Sequence, residues 1–215
     1  MKISKIMSFT NRHERVNEDT AQDVLLLLYL IDKAGNNIFG SNTLDAKIKL
    51  MKLAFLAEKE MIEKKYKGFN FFFNIYKRGP SSKELLQLLD DLCSQNLVEL
   101  DKTNAVISIS PKGRATIRDF VESTHGQNKD AFQIVDSIID KFGKLSTEEI
   151  IKLVYAMEMT PMYGSGKINI GQAVKKDERK RLLMKLDKKE AKKDVFVSSN
   201  WIETINILMN PAFHV

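Results

Sequence analysis

The side chains best equipped for chemistry cluster in "YKRGPSSKELLQLLDDL", residues Tyr76–Leu92. Lys77, Arg78 and Lys83 carry positive charge suited to phosphate oxygens, and Ser82 adds a hydroxyl of the kind that positions a nucleic-acid backbone. Gln87 is the one side chain there whose paired donor and acceptor match an adenine edge. Lys102 and Asn104, in the polar stretch "DKTN", would supply further backbone contacts. These seven residues form a candidate surface for duplex DNA. Asp90, Asp91, Glu99 and Asp101 oppose it, because carboxylates close to the same surface repel a phosphate backbone. A plain solvated helix face is the competing reading, and at the level of sequence both stay open.

No other reactive constellation emerges. His13, His125 and His214 stand far apart in the sequence, and Cys93 is the single cysteine, so no metal centre is expected. "GSGK", Gly164–Lys167, has Pro161 where a phosphate loop needs glycine and Ile168 where it needs Ser or Thr. Asp90 and Asp91 are adjacent on a helix, where successive side chains diverge by about 100°, so they cannot face one substrate together. The chain is expected not to be an enzyme and to need no cofactor. A lone cysteine excludes an intrachain disulfide and fits a reducing, cytoplasmic setting. Cys93 lies beside a leucine stripe, where it reads as a small core residue.

The candidate side chains need a scaffold, and the apolar pattern sketches one. "EDTAQDVLLLLYLIDKAG" gives a helix from Glu18, with acidic residues in its first turn and Gly35 as its stop. "NNIFGSNT" reads as a loop. A long helix follows over 44–65, with Ile48, Met51, Phe55 and Ile62 on one face and Lys47, Lys49 and Lys52 studding its early turns. Phe69–Lys77 is aromatic without helical period and is expected to be a strand. A Gly79-Pro80 turn leads into a helix over Ser81–Gln95, capped by Ser81 with Glu84 completing a capping box. Leu85, Leu88, Leu89 and Leu92 form its buried stripe. "NLVEL" and "AVISIS" are strands on either side of the "DKTN" turn, and Pro111 opens the next helix. Phe69–Lys77 is expected to pair with the Leu97–Leu100 and Val106–Ile109 strands.

"HGQNK", residues His125–Lys129, is the expected boundary. Beyond it the pattern is helical, with a stripe of Phe132, Val135, Ile138, Ile139 and Phe142, then a capping box at Ser146 and Glu149. Residues 175–194 are expected to be helical, with Leu182, Leu183, Met184 and Leu186 its candidates for burial, and Asn200 and Glu203 frame a last short helix. The chain therefore divides into a basic leader (1–17), a first domain (18–124) and a helical extension (125–215).

Charge is distributed unevenly. Residues 175–194 hold 10 Lys/Arg against 5 Asp/Glu, so their surplus nearly equals the net +6 of the chain. Such a patch suits nucleic acid by counterion release, and equally a helix face that only meets water. "VLLLLYLI", Val24–Ile31, is much shorter than the roughly 20 apolar residues of a membrane span. "MKISKIMSF" has no apolar core of the kind a secretory signal carries, so no membrane partner is expected.

Three helices followed by two strands around a polar turn is the order of a winged helix-turn-helix, whose third helix enters the major groove. The expected fold is mainly α with a small antiparallel β-sheet: a winged-helix-like domain plus a helical C-terminal extension. "KLMKLAFLAEKEM", "FNFFFNIYKRGPSSKELLQLLDDLCSQNLVEL" and "ISISPKGRATI" together resemble the YwgA-like proteins and the related Panacea-domain (SocA-like) antitoxins. The matching positions are Lys52, Leu53, Phe55, Tyr76, Gly79, Pro80, Ser81, Leu85, Leu97, Val98, Lys112 and Gly113. The resemblance covers roughly residues 44–120, and Arg78 departs from it, standing where a second aromatic is commoner. It implies a winged-helix-like fold and an antitoxin or regulator role. Two functions follow as expectations. One is a DNA-binding regulator or antitoxin-type protein, with dimerisation as the way to raise a modest affinity. The other is an adaptor or antitoxin that uses the winged scaffold to bind a protein such as a toxin, without DNA.

Overall fold

The computed structural model describes residues 16–161, 163, 166–178, 181–182 and 190–210. The leader expected over 1–17 therefore lies almost wholly outside the described residues.

Helix α1, Glu18–Ala34, forms the centre of the molecule. Asn17 caps it by accepting from the Thr20 amide at 2.8 Å, and Gly35 ends it at φ 54°. Every residue from Val24 to Ile31 is buried. A helix apolar on all sides must be enclosed by others, and α1 packs against α4 (Pro111–Phe142), α2 (Thr43–Glu63) and α7 (Ser199–Met209). Helix α3 is Lys83–Ser94, α5 is Thr147–Tyr155 and α6 is Ile170–Lys175. The mainly α architecture with small two-stranded sheets is as the sequence pattern indicates.

The strands are short. β1 (Tyr66–Lys67) pairs with β8 (Lys193–Asp194) in parallel, and β2 (Asn74–Tyr76) with β3 (Gly79–Ser81) antiparallel. β4 (Val98–Asp101) pairs antiparallel with β5 (Val106–Ile109), and β6 (Glu158–Met159) with β7 (Ile168–Asn169). The other edge of β5 is taken by the segment between α1 and α2. Phe39 bridges Val106, Ile107 N donates to Ile38 O at 2.9 Å, and Gly40 N donates to Ala105 O at 3.2 Å. The stretch expected to be a mere loop thus bridges the free edge of the hairpin.

That pairing corrects the strand expected over Phe69–Lys77. Phe69–Phe73 forms no strand, and the strand is confined to Asn74–Tyr76, which pairs with its own neighbour β3 and, at Asn74, bridges Arg181. Buried carboxylates meet the first two amides of the aromatic run, Phe69 N donating to Glu58 Oε2 and Asn70 N to Asp23 Oδ1, both at 2.7 Å, and Phe73 O accepts from Leu182 N at 2.9 Å. Backbone groups need a partner, and these were supplied before a sheet edge was required. Phe69, Phe71 and Phe73 are buried, and the Phe73 ring meets Phe55 edge-on at 5.4 Å between centroids.

The boundary expected at His125–Lys129 is also corrected, because α4 runs straight through it. Asn128, whose type suggests a loop, holds the C-terminal chain instead. Its Nδ2 donates to Phe196 O at 2.9 Å and its Oδ1 accepts from Phe196 N at 2.8 Å. Residues from Val16 to Ile205 share one hydrophobic core. The capping box of Ser146 and Glu149 is present, whereas the last helix is capped by Ser198 and not framed from Asn200. Of the helix expected over 175–194, the described part is helical only at Lys175 and becomes β8 at Lys193. Leu182 is buried, and Leu183, Met184 and Leu186 lie outside the described residues.

Candidate functional site

The seven candidate residues have different fates. Ser82 is fully buried and is itself the cap of α3, accepting from the Leu85 amide at 3.3 Å and donating to Glu84 Oε2 at 2.8 Å. It replaces Ser81 in that role, because Ser81 is held in β3. A hydroxyl so enclosed reaches no ligand. Arg78 is exposed, yet its Nη1 is 2.5 Å from Asp45 Oδ1. Hydrogen bonds from Ser41 and then Arg78 hold the Asp45 carboxyl below its usual range.

Gln87 Nε2 donates to Asp91 Oδ1 at 3.0 Å, one turn along the same helix. Asn104 Nδ2 donates to Asp101 Oδ2 at 2.7 Å and its backbone N–H to Oδ1 at 3.0 Å, closing the turn between β4 and β5. Lys77, Lys83 and Lys102 are exposed. The Lys77 carbonyl accepts from the Tyr155 hydroxyl at 2.8 Å. Over residues 83–102 two lysines (83 and 102) face five acids (84, 90, 91, 99 and 101), a net charge of −3. Asp90 is met by Lys47 Nζ at 2.7 Å. The segment that contains α3 and the turn after β4 is thus acidic in sum.

A different site lies beside α3. The first half of α2, the β2–β3 hairpin and Leu86 of α3 enclose a groove of about 340 Å³. Leu44 and Tyr76 border it at 59% and 39% exposure, large values for apolar side chains. Ile48 and Met51 continue the apolar wall, while Lys47, Lys77 and Arg78 supply cations. At the lining also stands Lys52, 2% exposed, whose Nζ donates to Pro80 O at 2.5 Å. Burial, and then the Arg78 charge, push its pKa down to about 7. Asp177 is the one acid among the described lining residues.

Gly79 makes the hairpin possible. It sits at φ 82°, and a Cβ there would come within 3.3 Å of the Tyr155 ring. Neither demand tolerates a larger residue well.

Lys49 and Lys52 were legible only as charges on α2, yet both are buried, with Lys49 Nζ 4.0 Å from the Phe39 ring centre. The available signal was spacing: Lys49 and Lys52 fall in register with Leu53 and Leu56 on the apolar face. Ile48 and Met51 were visible as one face of α2. Nothing local marked Leu44 and Tyr76 as neighbours, since they lie on different elements. Among the described residues no group of His, Cys, Asp and Glu is placed to hold a metal ion. No helix among them is long and apolar enough to cross a membrane. Compared with known proteins, the chain matches no family model, no curated protein and no solved structure.

Proposed function

We propose that the chain is a non-enzymatic, cytoplasmic protein-binding module of the adaptor or antitoxin kind, built on a winged-helix-like scaffold. The groove between α2 and the β2–β3 hairpin receives a segment of the partner that combines apolar side chains with carboxylates. One observation carries this reading: Leu44 and Tyr76 are exposed on the rim of a cavity whose described lining sets Lys47, Lys77 and Arg78 against a single acid, Asp177. Cavities of this size suit one or two anchoring side chains, which dominate binding when fully desolvated. The Lys47, Lys77 and Arg78 charges steer an acidic segment toward them. The order α1, Ile38–Gly40, α2, α3, β4, β5 supports the winged-helix-like reading, with the aromatic run and the β2–β3 hairpin inserted between its second and third helices.

The competing DNA reading rests on exposed Lys77, Lys83 and Lys102. It is opposed by the net −3 of residues 83–102, and by the engagement of Ser82, Gln87 and Asn104 within the fold. The test is a displayed random-peptide library panned against the full chain. Enriched peptides should combine apolar residues with Asp or Glu, and Leu44→Asp should weaken them about tenfold or more, the loss of one anchor. Enrichment of basic peptides, or binding indifferent to Leu44→Asp, overturns the proposal. A low-salt mobility shift that is abolished by Lys102→Ala and Lys83→Ala would restore the DNA reading.

A further inference from the structure

Arg78 lines the groove, but Asp45, the carboxylate that holds it at 2.5 Å, stands outside the described lining. The pair ties the turn at Lys77 and Arg78, between β2 and β3, to the first turn of α2. Leu44, the more exposed of the two apolar rim residues, is the neighbour of Asp45 in the chain. Lys47 is held by Asp90, which leaves Lys77 as a groove cation with no ion pair among the described residues.

The two members of the Arg78–Asp45 pair are secured very differently. Asp45 is fixed without Arg78. Its amide donates to Asn42 Oδ1 at 3.0 Å, and its carbonyl accepts from Thr147 Oγ1 at 3.3 Å. Its carboxylate divides its oxygens, Oδ1 going to Arg78 and Oδ2 accepting from the Ser41 hydroxyl. The Ser41 bond comes before the Arg78 bond among the causes that hold this carboxyl below its usual range. The first turn of a helix also favours a negative charge. Arg78, by contrast, has a side chain 52% exposed, with Asp45 its one ion-pair partner among the described residues. Nor does the turn hang on this pair alone, because the Tyr155 hydroxyl holds the Lys77 carbonyl from α5. Arg78 can therefore change acceptors while Asp45 stays satisfied and the hairpin stays in place.

We propose, on the reading of the groove as a site for an apolar and acidic segment, that Asp45 is a built-in competitor for that site. It occupies Arg78 in the unbound chain and yields it to a carboxylate of the partner. The partner's carboxylate has the advantage in geometry. With Oδ2 committed to Ser41, Asp45 offers the guanidinium one oxygen, whereas an incoming carboxylate can offer two and form the parallel pair of bonds that guanidinium groups favour. The acceptor given up is an exposed ion pair of small worth, so the exchange costs little. A segment without a carboxylate leaves the pair intact and gains nothing from Arg78. The competitor thus sets how strongly the groove prefers acidic over neutral apolar segments.

The full chain should be titrated, by fluorescence anisotropy, with the acidic peptide most enriched in panning and with a copy carrying Asn and Gln in place of Asp and Glu. Asp45→Asn should tighten the acidic peptide about two- to fivefold, the worth of one exposed ion pair, and leave the neutral copy unchanged. Arg78→Ala should weaken the acidic peptide more than the neutral one. The decisive arm is Asp45→Asn in the Arg78→Ala background. A competitor acts only through Arg78, so the gain should vanish there, whereas a general effect of net charge would persist. A gain that survives without Arg78 overturns the proposal, as does an Asp45→Asn chain that binds no more tightly than the parent. Arg78 is exposed, so Arg78→Ala remains informative even if Asp45→Asn folds poorly: equal weakening of both peptides overturns the proposal too. Each of these outcomes leaves the groove reading standing, since that reading is tested by Leu44→Asp. If panning enriches no acidic peptide, both fall together.

Discussion

The groove beside α3 and the outer face of α3 both draw on that helix, yet they follow opposite rules. On the outer face, charges meet water or near neighbours. Gln87 pairs with Asp91, Asn104 with Asp101, and Lys83 and Lys102 project freely. In the groove, an ammonium is buried against one carbonyl and apolar side chains are left exposed. The first arrangement is that of a surface content with solvent; the second leaves apolar area unburied beside cations, of which Lys47 and Arg78 are paired with Asp90 and Asp45. A surface with that unburied area is the better candidate for a partner.

That contrast can be broken at its strongest point by Lys52→Ala. The change leaves a cavity and strips the buried Pro80 carbonyl of its donor, and it should destabilise the chain by about 2–4 kcal/mol in chemical denaturation. Lys52 also predicts a pH signature. Its folded pKa, about 7, lies below the 10.5 of the free side chain. Between those values the unfolded chain binds more protons, so this lysine makes stability rise with pH from about 7 toward 10. Lys52→Met, which keeps the volume, should flatten that rise in denaturation curves compared at pH 7 and pH 9. Asp23 acts in the opposite sense. Burial raises its pKa from 3.8 to about 7, so the folded chain holds the extra proton and stability falls as pH climbs through that window. Asp23→Asn should remove the fall.

A smaller effect is expected at Gly79, where Gly79→Ala forces a side chain into positive φ against Tyr155. It should cost about 1–2 kcal/mol and shift the hairpin that walls the groove, readable as a loss of peptide affinity exceeding the loss of stability. Ser82→Ala should cost about 1 kcal/mol, as the removal of a helix cap does. On the outer face, Gln87→Ala and Lys102→Ala should each change stability by less than about 0.5 kcal/mol. A larger loss at either position would erase the distinction between the two surfaces.

Much of the helical framework could be read along the chain, because caps and stripes are local. Glu18 with Gly35, the Leu85–Leu92 stripe and the Ser146–Glu149 box each declare themselves within a few residues. The hairpin of β4 and β5 was equally plain, its alternating "AVISIS" set off by a polar turn. The candidate site was less legible. Of the residues that line the groove, Lys77 and Arg78 were singled out for nucleic acid, and Ile48 and Met51 only as the apolar face of a helix. Ser82 and Ser81 differ by one position, and which of them caps α3 depended on β3 claiming the other.

The sequence by itself determined the helices and where most of them start and stop, since hydrogen bonds to the first and last turns come from adjacent residues. Tertiary structure decided the rest. β5 has one free edge, and Ile38–Gly40 took it, which left the first two amides of the aromatic run to find their hydrogen bonds at Glu58 and Asp23. α4 crossed a stretch of loop-forming residues because Asn128 gained two backbone partners at Phe196, 68 residues away. Lys52 changed from a surface charge to a buried donor when Pro80 was brought over it. Each outcome turns on a partner distant in sequence, and the burial that makes such a bond worth forming exists only once the chain has closed around it.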